Sequence, residues 1–94
     1  MVEYVTYKGE KYPVRIAWST IKALETVENL NPFEKTELAL YCGLMSGHKA
    51  EDKEMPFKAE DMQFLLDECV DEFNAIFQKQ AVKAKEDSDG DKKK

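Results

Sequence analysis

The feature that most constrains this chain is an apolar repeat in its C-terminal half. Met62, Leu65, Leu66, Cys69, Phe73, Ile76 and Phe77 recur at spacings of three and four, a period that brings all of them to one side of a helix. One amphipathic helix is not a fold, because its stripe needs a facing layer. With 94 residues the chain has room for one core and no second folding unit. The helix also has a marked beginning. Phe57 is placed to staple onto Met62 across a start near Lys58, and Glu60 and Asp61 fall in the first turn, where negative charge suits the helix dipole. The pattern predicts a helix over residues 59–82.

The facing layer comes from the first fifty residues. Val2, Tyr4, Val5, Thr6 and Tyr7 are strand formers, and Lys8-Gly9-Glu10 supplies a turn in which glycine is free to take positive φ. Residues 11–16 alternate, with Tyr12, Val14 and Ile16 on one face. The hairpin, residues 2–16, has an open register. A two-residue turn puts Val5 and Tyr7 toward the core, whereas a three-residue turn puts Val2 and Tyr4 there. Pro13 removes a backbone donor and predicts one unpaired edge. A first helix over about residues 19–28 is capped by Ser19 and buries Trp18, Ile21, Leu24 and Val27. A second, over about residues 32–46, has Asn31 as N-cap, Pro32 at the first helical position and Glu34 completing a capping box. Gly47 suits its C-terminal cap, and Gly43 inside it marks a close contact or a weak point. Residues 48–56 read as a charged loop. The expected architecture is mainly helical α+β: an N-terminal β-hairpin packed on about three helices.

Charge divides the chain. Residues 83–94 carry five lysines and four acids and no large apolar side chain, so they cannot recover the entropy of being ordered. They read as a disordered tail behind a single folded domain of residues 1–82. Nine acids lie between residues 51 and 72 against Lys53 and Lys58. The formal net charge of -5 opposes a nucleic-acid binder, which needs clustered positive charge to displace counterions. The longest nearly unbroken apolar run, residues 38–45, is too short to span a bilayer. With no basic-then-apolar start, the reading is a soluble cytoplasmic domain.

Chemistry-bearing motifs are scarce. Cys42 and Cys69 sit in apolar stretches without a second ligand at metal-like spacing, and read as reduced, buried thiols. His48, beside a glycine, reads as a surface histidine. Asp87-Ser88-Asp89-Gly90-Asp91 resembles a calcium loop but lacks the glycine at position six and the glutamate at twelve. No nucleophile–base set and no phosphate-cradling glycine loop is present, so neither enzyme activity nor a cofactor is expected. Two surfaces remain for partners. Tyr4 and Tyr7 beside an open strand edge, together with Phe73, Ile76 and Phe77 at the end of the third helix, have apolar area beyond what so small a core needs. The acidic face of Asp67, Glu68, Asp71 and Glu72 offers a second possibility, an adaptor or inhibitor that holds a basic partner or mimics a nucleic-acid backbone.

The order of these features resembles a known family. A hairpin reading GEKYPVRI is followed directly by WSTIKALE, a middle helix contains LALYCGLMSG, and EMPFKAEDMQFLLDE opens the last helix. Over residues 3–80 this layout is similar to the tail assembly chaperones of long-tailed bacteriophages and related prophage elements. The resemblance implies a non-enzymatic protein that coats the tape-measure protein in the host cytoplasm, helps recruit tail-tube subunits and forms homo-oligomers. It also gives Lys92-Lys93-Lys94 a second reading, as the product of an A-rich slippery run at which ribosomes change frame. No family site transfers to particular residues.

Overall fold

Lys8 and Gly9 decide the register of the hairpin. A computed structural model describes residues 2–92, with side chains through Val82. Strands β1 (Glu3–Tyr7) and β2 (Glu10–Val14) are antiparallel, pairing Val5 with Tyr12 and Tyr7 with Glu10. The turn therefore has two central residues, at φ 51° for Lys8 and 80° for Gly9. This is the type I′ geometry whose twist matches that of the strands. Val5 is consequently fully buried and Tyr7 half-buried, while Tyr4 and Thr6 are exposed.

Three helices follow, in the order β1-β2-α1-α2-α3, which is the mainly helical α+β arrangement read from the sequence. Helix α1 (Trp18–Thr26) is not capped by Ser19. Its N-cap is Ala17, whose N–H donates to Thr20 Oγ1 at 3.4 Å. The buried side of α1 is Thr20 and Ile21 with half-buried Leu24. Trp18, the first helical residue, lies off that stripe and remains 57% exposed, and Val27, just past the helix, is exposed too. Asn29, at φ 66°, turns the chain toward α2.

Helix α2 (Pro32–Ala50) begins as its sequence dictates. Asn31 Oδ1 accepts the Glu34 N–H at 2.8 Å, and Glu34 Oε1 accepts the Asn31 N–H at 3.1 Å. Its end does not. Gly47 lies inside the helix, and the terminating left-handed residue is Asp52 at φ 58°. The Lys53 N–H reaches the His48 carbonyl at 2.8 Å and the Asp52 N–H reaches that of Lys49 at 3.1 Å, the Schellman pattern. His48 is therefore helical and buried, 4% exposed, with Nδ1 2.7 Å from the Leu44 carbonyl. The loop covers residues 51–58 rather than 48–56.

Gly43 and Gly47 have another task. One turn apart on α2, they let β2 lie against the helix backbone. The Arg15 N–H donates to the Gly43 carbonyl at 3.0 Å. A Cβ on Gly47 would stand 2.7 Å from Val14 N and overlap the Pro13 carbonyl. On Gly43 it would crowd the side-chain atoms Val14 Cγ1 and Ile16 Cδ1, at 3.0 and 3.1 Å, and reach the Arg15 carbonyl oxygen only at an ordinary 3.9 Å.

After a 3₁₀ turn (Ala59–Asp61), in which Asp61 Oδ2 accepts the Lys58 N–H at 2.9 Å, α3 (Met62–Lys92) closes the core. Met62, Leu65, Cys69, Phe73 and Ile76 are buried, with Leu66 and Phe77 packed alongside. Together with Val5, Val14, Ile16, Ile21, Ala39, Leu40 and Leu44 they form one cluster. The helix is kinked at Cys69, at φ −126° and ψ 20°. Phe57 packs edge-on against Tyr7 and Tyr12, with ring centroids 6.0 and 4.8 Å away. The expected tail, residues 83–94, lies outside the residues whose side chains are described, and Lys93 and Lys94 lie outside the described residues altogether. No helix among the described residues is long and apolar enough to cross a membrane.

The two glycines predict unequal costs. Gly47→Ala forces strand and helix backbones apart and should destabilise by about 2–3 kcal/mol in urea unfolding. Gly43→Ala displaces only side-chain ends and gains up to about 1 kcal/mol of helix propensity, so its loss should be smaller. Equal midpoints for the two variants would refute the close approach at Gly47.

Candidate functional site

The structure divides the acidic face of the third helix. Glu72 Oε1 accepts the Thr6 N–H at 2.6 Å, and Glu68 Oε1 accepts the Lys8 N–H at 3.1 Å. These donors point away from β2, since Val5 and Tyr7 are the residues of β1 that pair inward. The two carboxylates thus cover the outer edge of β1, whereas the unpaired edge expected from Pro13 is that of β2. Asp67 and Asp71 remain exposed. On the far edge, Pro13 has no donor to satisfy and Arg15 is bonded to α2.

About two turns beyond that seam, Gln80 ties three segments together. It is buried, its Oε1 accepting the Ile16 N–H at 2.8 Å and its Nε2 donating to Glu3 Oε2 at 3.0 Å. Lys79 Nζ lies 3.1 Å from Glu3 Oε1. The Gln80 hydrogen bond first, and Lys79 second, lower the pKa of Glu3 below the ordinary carboxylate value. Sequence reasoning ended the stripe at Phe77 and missed Gln80, although position 80 continues it four residues after Ile76.

The apolar candidates also separate. Phe73 and Ile76 are 1% and 5% exposed and belong to the core, not to a free surface. They find partners there because α1, α2 and the hairpin all reach this end of α3. Phe77 is half-buried, and with Leu24, Ala39 and Phe73 it lines a cleft of about 280 Å³ between α1, α2 and α3, with Glu25 and Lys35 also in its wall. Tyr7 is half-buried, with Lys8 Nζ 5.3 Å from its ring centroid. Tyr4 is 41% exposed and donates its hydroxyl hydrogen bond to Glu51 Oε2. That bond raises the pKa of Tyr4 and lowers that of Glu51. Large apolar side chains that the sequence had not marked for contact are open as well, among them Phe33 at 78% and Phe64 at 54%.

Cys42 and Cys69 are unpaired thiols, and burial raises both, Cys69 to about 11, so neither is a ready nucleophile. Among the described residues no three His, Cys, Asp or Glu side chains gather as metal ligands. In comparison with known proteins, the chain matches no family model, no curated protein and no solved structure.

Two outcomes test the seam. Replacing Glu68 and Glu72 together by Ala should speed hydrogen exchange at the Thr6 and Lys8 amides and cost about 1–2 kcal/mol. Unchanged exchange would show that the carboxylates do not hold that edge. Because the pKa of Glu3 is lower folded than unfolded, its contribution to stability is complete above the unfolded carboxylate value and fades as pH falls through the folded one. Glu3→Gln should therefore flatten the acid limb of a stability–pH curve. An acid limb parallel to that of the parent would contradict the assignment.

Proposed function

We propose that this chain is a non-enzymatic tail assembly chaperone of a long-tailed phage or prophage element, acting in the host cytoplasm on the tape-measure protein and helping to recruit tail-tube subunits. The observation that carries the reading is the cleft between three helices in which half-buried Leu24 and Phe77 stand beside buried Ala39 and Phe73, with Glu25 and Lys35 in its wall. A chaperone of this kind must hold the apolar stripe of a helical client without chemistry. A groove at a helix junction that offers aliphatic and aromatic side chains among polar ones provides that. The resemblance of residues 3–80 to the family supplies the client's identity. Exposed Phe33, Phe64 and Val82 add apolar surface on which copies of the chain can associate.

The reading as an acidic adaptor has less support. Two of its four carboxylates, Glu68 and Glu72, are engaged by the hairpin. A docking face reduced to Asp67 and Asp71 has little charge with which to hold a basic partner.

A solubility assay tests the proposal. The full chain, mixed with recombinant tape-measure segments, should keep them in the supernatant, and Phe77→Glu should abolish this while leaving the far-UV spectrum intact. Segments that precipitate equally with and without the parent protein would overturn it.

A further inference from the structure

Two stretches of this acidic chain carry basic residues and no acid. Residues 11–24 contain Lys11, Arg15 and Lys22 and no acid, and residues 38–50 contain Lys49 and no acid, in a chain of net charge -5. The fold brings these two acid-free stretches together. Between the segment leading from β2 into α1 and the last turns of α2 lies a cleft of about 510 Å³. Arg15 and Lys49 line it, with the hydroxyls of Ser19 and Ser46 and the apolar surface of Met45 and Cys42. Both cations are exposed. Among the described residues the ion pairs are Lys53–Glu51 and Lys79–Glu3, so neither Arg15 nor Lys49 is matched by a carboxylate. The one described side-chain contact of Arg15 is a long hydrogen bond from Nη1 to Ser46 Oγ, at 3.5 Å.

We infer that this cleft is a second binding site, for an acidic peptide segment of a protein partner that carries aliphatic side chains among its carboxylates. Charge complementarity selects the anionic part. A guanidinium and an ammonium with no internal carboxylate, flanked by two hydroxyl groups, gain most from carboxylates. The apolar part follows from Met45, which is 47% exposed in the same cleft and offers an adaptable thioether surface to an aliphatic side chain. Nucleic acid fits less well. Two cations are too few to release many counterions, and the acidic loop and helix of the body repel a polyanion. The site shares no lining residue with the cleft of Phe73 and Phe77 and stands apart from the proposal built on it.

The single tryptophan makes the test direct. Trp18 is 57% exposed and lies between Ala17 and Ser19, both of which line the cleft. Full-length protein is titrated with a blocked Glu/Leu peptide, with its Lys/Leu counterpart, with oligothymidylate and with inorganic phosphate. The expected result is a saturable change in Trp18 emission with the Glu/Leu peptide alone, weakened by added salt. Amide shifts in NMR should centre on residues 15–19 and 42–50. The charge reversal R15E with K49E should weaken binding by roughly tenfold or more. Absence of a saturable response, shifts centred elsewhere, or unchanged affinity in the reversed variant would each overturn the site. Equal or tighter binding of oligothymidylate or phosphate would overturn the peptide as its occupant. Should the reversed variant fail to fold, the shift map on the parent protein decides.

Discussion

Everything in this structure depends on how a two-stranded sheet is kept from standing alone. An isolated hairpin is marginal in water, and each of its outer edges carries backbone groups that need partners. Here both edges are held by helices. On one side the Gly43 and Gly47 turns of α2 come close enough for the Arg15 amide to bond a helix carbonyl directly. On the other, Glu68 and Glu72 extend from α3 to the amides of Lys8 and Thr6. Gln80 completes the closure by joining the start of β1, the exit from β2 and α3. With the hairpin so held, Val5 and Val14 sit at zero exposure in the centre of the core.

This seating changes what the charges mean. A run of acids on a helix reads as solvated surface or as a docking face, yet two of these four serve the backbone of another element. The cost of like charges at i, i+4 is offset by charge-assisted hydrogen bonds to edge amides. Covering the edge with carboxylates also blocks strand addition there, a common route to unwanted pairing. What remains open for partners is side-chain surface in clefts between helices. One cleft joins Leu24 and Phe77 to a partly polar wall, and the other is rimmed by Arg15 and Lys49.

The locally encoded features were legible. The Asn31, Pro32 and Glu34 cap needs only residues within one turn of each other, and it forms as written. The stripe from Met62 to Phe77 needs only the helical period. The Lys8-Gly9 turn was visible, although its length, and hence the buried face, was settled only by the pairing. Misreadings arose where a residue answered to something distant in sequence. Gly47 looked like a cap because glycine commonly ends helices, but it is small for the sake of Pro13, 34 positions earlier. With the helix ended early, His48 was placed in a loop, although it follows Leu44 by one turn and is buried with it. Trp18 was assigned to the core on hydrophobicity and is exposed because α1 starts there and turns Thr20 and Ile21 inward. Phe73 and Ile76 seemed to lack neighbours because the reach of α1 and the hairpin over α3 is not a local property.

By itself, then, the sequence determined the elements: a glycine turn between strands, a capped second helix, an amphipathic third helix, and a negative body with positive stretches. These follow from backbone sterics, capping and periodicity, which act over a few residues. Tertiary structure alone decided which carboxylates are spent on the strand edge, which glycines permit contact, and which cations are left without partners. Those outcomes depend on groups far apart in sequence meeting within hydrogen-bond or van der Waals distance. No pattern along the chain encodes such meetings until the hairpin is seated.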